Sequence, residues 1–464
     1  MKKIVGGVLV CFIFSILVIN IVVPVFHKET DLAYEETISK TEFESDSVSN
    51  ERILCIDDNE DALIWRLRMI ENAEKSIVLA TFDLRPDESG TDIMSALYIA
   101  AERGVNVKIL VDGIYKPIYL NKSDTFYALC AHENVEARFY NPLNLKNIYK
   151  VNYRMHDKYL IIDDKMYMLG GRNTNDIFLE NYQKGINIDR DILVYETEPG
   201  EGESLQQLNA YFEQMWENPC VQAEVAKIEE KICQQEYKKL SNRYEELRSE
   251  YENIEQYHSW EEATFEVNQI TLISNEQNAT NKSPRILSVI EHLAKESENI
   301  LIQTPYAICN DYMYDTLKGM EETTDIKIIL NAVEKGSNPW GCTDYLNNKE
   351  KILNTGSDVY ELMNEHAVHT KTVLIDDNIS IVGSYNLDMR STYLDTELML
   401  VIDSKELNNY IRQIESEYMD KSVEVKADGT ETKGELYIEK ELTGNKKIFY
   451  RILQVIIRPF RHLL

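Results

Sequence analysis

Hydrophobic residues along this chain fall into runs of different period. The first run, 4–26, is free of charge over 23 residues, long enough to cross a bilayer as a helix. Lys2 and Lys3 precede it, which keeps the N-terminus cytoplasmic and exports the rest of the chain. No small residues close the run at Val22-Val23-Pro24-Val25-Phe26, so an uncleaved anchor over 1–28 is preferred to a cleaved signal peptide. Residues 29–51 are polar and have linker composition. From residue 53 short apolar runs alternate with amphipathic ones. An amphipathic helix opens at Glu60 and ends near Ala73. A buried strand covers 76–82, a helix lies between Gly90 and Gly104, and a strand covers 105–112. The order repeats from Gln269: Ser283-Pro284 reads as N-cap and first-turn proline of a helix to about Ser297, and strands follow at 300–304 and 326–330. This alternation predicts an α/β fold in two halves, 52–220 and 263–420.

Between the halves, 221–262 is charged and helical in period. Its apolar positions 221, 225, 228, 232, 237, 240, 244, 247, 251 and 254 step mostly by threes and fours. Two readings stand: a long helix or hairpin packed on the body, or a helical partner or dimer surface over 221–258. A further segment, 421–464, is a linker followed by a tail.

The chemistry sits in a phrase written twice. His156-x-Lys158-x4-Asp163 leads after six residues to Gly170-Gly171-Arg172-Asn173. His369-x-Lys371-x4-Asp376 leads after six residues to Gly383-Ser384-Tyr385-Asn386, 213 positions on. Residues two apart on a strand share a face, so imidazole and ammonium project together. Glycine at 170 and 383 allows close backbone approach, and Asn173 or Asn386 then supplies an amide donor for phosphate. A neutral His, a Lys and an Asn form a phosphate site, and two facing sets supply a nucleophile and a general acid for displacement through a phosphohistidine. Asp163 and Asp376 complete the catalytic motif, but an acid would repel an incoming phosphate, which favours a structural role for both.

On these residues the chain resembles the phospholipase D superfamily, whose HKD motif has this form. Two copies resemble its lipid-acting members. Met155-His156-Asp157-Lys158, Gly170-Gly171-Arg172-Asn173 with Asp176, and Asn386-Leu387-Asp388-Met389-Arg390-Ser391 are similar to bacterial cardiolipin synthases of the C-type branch. The similarity spans roughly residues 52–405. It implies two duplicated phospholipase D-like α/β sandwich halves with the active site between them. It also implies an acidic residue further along to orient each histidine: Asp191, before Ile192-Leu193-Val194, and Glu397, before Leu398-Met399-Leu400, with Asp189 and Asp395 as nearby competitors. By family habit His156 is the nucleophile and His369 the acid, although the two phrases by themselves are symmetric.

Charge then separates body from ends. The chain carries a net −30; without Lys2, Lys3, Lys28 and five tail cations, residues 29–445 carry −38. Such a body repels nucleic acid and anionic lipid alike, so membrane contact should rest on the ends. The tail 446–464 has five Lys or Arg and no acid. Lys447, Arg451, Gln454, Arg458 and Arg461 share one helical face, and apolar residues fill the rest. That is the pattern of a helix lying in a membrane interface, with core docking as the alternative. Seven scattered cysteines without CxxC and sparse histidines give no metal set, and no GxGxxG or P-loop implies a cofactor. The expectation is a membrane-anchored phosphatidyltransferase, a cardiolipin synthase by resemblance, acting on phosphatidylglycerol or phosphatidylethanolamine with its body outside the cytoplasm. Hydrolytic phospholipase D, nuclease and non-catalytic membrane protein are the alternatives.

Overall fold

A computed structural model of the protein describes residues 15, 18–28, 30–144, 148–251, 254 and 257–464. Two nine-stranded mixed sheets dominate it. The first runs in spatial order Phe265–Glu266, Glu51–Ile56, Asp191–Glu196, Met166–Gly170, Tyr159–Ile162, Ser76–Thr81, Asn106–Asp112, Val135–Tyr140 and Val221–Ala223. The second runs Gln269–Ser274, Leu398–Asp403, Ile379–Gly383, Thr372–Ile375, Asn299–Gln303, Asp325–Asn331, Asp358–Leu362, Ser422–Val425 and Glu431–Lys433. Eight strands follow the same order in both sheets, with Phe265–Glu266 and Glu431–Lys433 added at opposite edges; pairing is parallel at the three βα-connected strands and antiparallel at the motif hairpin. The central strands are buried on both faces, which is why Met166–Gly170 and Ile379–Gly383 read as nearly continuous apolar runs. A single apolar cluster joins Tyr167, Leu169 and Val194 of the first sheet to Ile381, Val382 and Val401 of the second.

Several expected boundaries move. The His-x-Lys phrases lie just before their strands, Tyr159–Ile162 and Thr372–Ile375, rather than within them. The helix expected after Ser283-Pro284 spans Arg285–Ala294, with Pro284 rather than Ser283 in the N-cap position. Phe265–Glu266 pairs with the first sheet, and the second sheet continues past residue 420 through Ser422–Val425 and Glu431–Lys433. The stretch 221–258 is not one helix. Val221–Ala223 adds an edge strand to the first sheet, and the helix spans Glu230–Glu250. Its seam of Cys233, Leu240, Tyr244 and Leu247 is buried and packs on helices Glu88–Glu102 and Asp124–Ala131. Tyr244 also donates to Glu71 at 2.6 Å, and Arg243 pairs with buried Asp92 at 2.5 Å. The seam is thereby spent within its own chain.

The apolar run 4–26 lies largely outside the described residues. Among the described residues no helix is long and apolar enough to cross a membrane. The tail forms a helix, Gly444–Ile456, and a 3-10 segment, Arg458–Leu463, with Pro459 in the latter's first turn.

Candidate active site

Each motif hairpin turns at its aspartate. Asp163 has φ 51° and Asp376 has φ 45°, a left-handed conformation that Asp tolerates better than most residues. Asp163 accepts from the backbone N–H of Glu74, Lys75 and Ser76 at 3.0, 2.8 and 2.7 Å. Asp376 accepts from the N–H of Glu298 and Asn299 at 2.9 and 3.0 Å. Both therefore tie the motif turn to the start of the neighbouring strand, at the far end of the hairpin from the histidine. Their place in the catalytic set is corrected: they are turn residues.

At the other end the halves exchange strands. Ala367–Val368 pairs in parallel with Asn187–Ile188, and the His369 N–H donates to the Ile188 carbonyl at 2.6 Å. Met155 makes the equivalent parallel bridge to Thr396, and the His156 N–H donates to the Thr396 carbonyl at 3.2 Å. The next residue on each partner strand is a carboxylate. His156 Nδ1 therefore meets Glu397 at 2.9 and 3.1 Å, and His369 Nδ1 meets Asp189 at 2.6 Å. Each histidine is held by the acid of the opposite half.

Two expectations change with this. Glu397 faces His156 rather than His369, the histidine of its own half. Asp191 faces neither: it pairs with Arg66 at 2.8 Å and Arg172 at 3.2 Å inside the first half. The register explains the difference. Gly170 lies opposite Asp191 and Gly383 opposite Met399, so the residue equivalent to Glu397 is two before Asp191, namely Asp189. Asp395 also lies apart from the histidines, accepting from the Arg154 N–H and pairing with Arg390 at 3.1 Å.

The glycines make room for these strands. A Cβ on Gly170 would meet the Arg190 carbonyl oxygen at 2.4 Å, and one on Gly383 would meet the Leu398 carbonyl oxygen at 2.2 Å. The following position then differs by half. Gly171 leaves the space that the Asp189 carboxylate fills, since a Cβ there would lie 2.2 Å from its oxygen. Ser384 donates its hydroxyl to Glu397, as does Ser391 at 2.6 Å. Phe82 and Phe178 carry no motif signal in the sequence, whereas Ser384 and Ser391 stand inside the Gly383–Asn386 and Asn386–Ser391 phrases without their contact to Glu397 being legible there. Phe82 sets its ring edgewise to His156 and Phe178 to His369, each at 5.1 Å between centroids.

Lys158 and Lys371 are buried beside their histidines and donate to the carbonyls of His156 and His369. Lys371 Nζ also lies 3.7 Å from Asp189. Each lysine acts across the site: burial and Lys158 depress the His156 pKa, with Lys371 adding to it, while burial and Lys371 hold His369 at about 3, with Lys158 adding to it. Burial and the lysines thus favour the neutral ring, the form that nucleophilic attack requires of His156. Burial pushes Lys158 down to about 7 and Glu397 up to about 8, the latter against the pull of Lys158. Burial also raises Asp189, but Lys371 and His369 outweigh it and hold the carboxylate at about 2. The amide oxygens of Asn173 and Asn386 are buried with no hydrogen-bond partner among the described residues, and Asn386 Nδ2 donates to Ser391 Oγ at 3.4 Å.

A family model described as "Cardiolipin synthase, PLD-like domain" matches residues 67–216 and 289–418. The chain is 24% identical over 404 residues to cardiolipin synthase C of Escherichia coli K12, covering 77% of this chain and 83% of that one. It is also 24% identical over 407 residues to an uncharacterized protein of Helicobacter pylori 26695, covering 77% of each. In fold it is similar to the crystal structure of phosphatidylserine synthase from Haemophilus influenzae Rd KW20. That similarity has a TM-score of 0.62 at 15% identity, over 93% of this chain and all of the other.

Proposed function

The chain belongs to the PLD-like family of cardiolipin synthases, and from that premise we propose that it is a phosphatidyltransferase that makes cardiolipin through a phosphohistidine. The observation that carries this reading is the pair of histidines, each seated on an acidic side chain of the opposite half and flanked by a buried lysine and a motif asparagine. In the proposed reaction His156 Nε2 attacks the phosphorus of a phospholipid and the bond to the headgroup oxygen breaks. The anionic phosphate of the bound lipid would offset Lys158 and Lys371, so that His369 takes up a proton against ionised Asp189, and that imidazolium gives the headgroup oxygen its proton as the alcohol leaves. The neutral His369 then takes the hydroxyl proton of a second lipid. The oxygen of that lipid displaces His156 from phosphorus, and both histidines return to their starting states. Asp189 supports the acid role of His369, because an ionised carboxylate stabilises the imidazolium. Lys158, Lys371, Asn173 and Asn386 would hold the phosphate oxygens as charge shifts onto them. The acceptor is phosphatidylglycerol and the donor phosphatidylglycerol or phosphatidylethanolamine.

The test is product analysis by lipid mass spectrometry, with phosphatidylglycerol alone and with phosphatidylethanolamine added. Full-length protein should form cardiolipin, and the His156→Ala and His369→Ala variants should form none while remaining folded. Phosphatidic acid as sole product would replace the synthase reading with a hydrolytic one. Normal turnover in either variant would sink the mechanism.

A further inference from the structure

The Gly444–Ile456 helix docks in an unusual sense. Tyr450, Leu453 and Ile457 face the body, packing toward the Pro339–Leu353 helix, and the Gln454 carbonyl accepts from Asn347 at 3.0 Å. The broader apolar stripe faces outward: Ile448, Phe449, Ile452, Val455 and Ile456 are exposed, Val455 by 68%. Exposed Trp340 lies on the helix it packs against. A continuous outward apolar face of this kind marks an interaction site.

The other chain end comes to the same place. The 3-10 turn Val23–Val25 contacts the 3-10 segment Arg458–Leu463, and His462 Nε2 lies 2.7 Å from the Ile21 carbonyl oxygen. Asn281 donates to the carbonyls of Val23 and Phe26 at 3.1 and 2.7 Å, while the Phe26 side chain is 70% exposed. Residues 21–26, the described end of the apolar run, therefore lie beside the tail. This region is also fixed next to the catalytic centre. The Arg390 N–H donates to the Leu464 carbonyl and its Nε to the Leu463 carbonyl, and Ser391, the next residue, holds Glu397.

Charge selects the occupant. Lys447 is taken by Glu441 and Arg461 by Asp344, but Lys446, Arg451 and Arg458 are exposed with no ion-pair partner among the described residues. Lys447 and Arg451, four apart on the helix, lie along one flank of the apolar stripe, and Arg458 opens the 3-10 segment that follows. A bilayer with anionic headgroups offers apolar depth to the stripe and negative charge to its flank.

We propose that the two chain ends form one surface that seats on an anionic bilayer beside the His156–Glu397 side of the catalytic centre. It deepens the phospholipid reading and rests on it for its purpose, since a lipid bound there lies next to the reacting histidines. The test is independent of turnover. Full-length protein carrying a bimane label at Val455→Cys is reconstituted in vesicles of phosphatidylglycerol and phosphatidylcholine (about 3:7) or of phosphatidylcholine alone. A label at exposed Glu406→Cys on the body serves as reference. In the anionic vesicles lipid-borne nitroxide should quench the 455 label at least twofold more than the 406 label. Adding Arg451→Glu and Arg458→Glu should bring the two labels level. Equal access of aqueous iodide to both labels in both vesicle types would overturn the proposal, whatever the lipid product assay gives. Seating without lipid product would leave the surface standing and fell the enzymatic reading.

Discussion

Glu397 and Asp189 do the same geometric task in different electrostatic settings. Glu397 is fully buried between His156 and two serine hydroxyls, and burial keeps a proton on it up to about 8. Asp189 is equally buried, but Lys371 and His369 hold it ionised down to about 2. Removing its charge should strip His369 of its counter-ion: Asp189→Asn is expected to lower kcat about 10²–10⁴-fold with the fold intact, read from lipid turnover and circular dichroism. Asp191→Ala should act the other way. It leaves Arg66 and Arg172 buried without their carboxylate, at a cost of about 3–5 kcal/mol in denaturant unfolding. A loss of turnover in the Asp191 variant at full stability would contradict this division. The sequence made the histidines, lysines and asparagines legible because the repeat keeps their spacing within one hairpin. It did not separate Asp189 from Asp191, because that choice depends on strand register. In the second half apolar residues begin directly after the acid, at Leu398. In the first, Arg190 and Asp191 intervene, both engaged in buried ion pairs, and shift the visible start of the strand by two. Nor does spacing along one chain reveal that the acids cross between halves.

Among the elements, the motif hairpin and the Glu230–Glu250 helix show how period alone can inform and mislead. The hairpin's apolar runs marked its strands, and a short connection with a left-handed aspartate closes each one. The heptad-like seam of the intervening stretch marks a buried face from Leu240 to Ile254, whereas Val221 lies on an edge strand and Val225 is exposed, and period does not say whose surface covers the buried part. Here the helices Glu88–Glu102 and Asp124–Ala131 do. Leu240→Ala, at a fully buried seam position, should therefore cost about 2–5 kcal/mol of stability in the isolated chain. Thermal unfolding together with light scattering checks it. A change of molar mass without loss of stability would return the seam to an intermolecular role.

For the molecule as a whole, buried acids set the response to pH. Burial raises Glu397 to about 8 and Asp157 and Asp388 to about 7, from ordinary values of 4.5 and 3.8. Between those limits the folded state holds protons the unfolded chain has released, so stability falls as pH rises from about 4 to 8. Asp189 works in the opposite sense, but its contribution is complete once pH passes its unfolded value, and the lowered His156 and His369 oppose the trend only up to their ordinary value of 6.5. Lys158, lowered to about 7, adds stability only above that pH. Self-repulsion at −30 acts in the same direction as the raised carboxyls. Calorimetry should give a thermal midpoint a few degrees higher at pH 5.5 than at pH 8. An equal or higher midpoint at pH 8 would mean that these carboxyls are ionised in the folded protein.

The exchange of carboxylates between the two sheets also bears on how such a chain came to exist. A half on its own would hold one histidine and an acid aimed away from it, so neither half contains a working pair. Two identical copies of one half, paired in this way, would each complete the other. Joining them in one polypeptide freed the two acids from having to be the same residue, and one is now aspartate and the other glutamate.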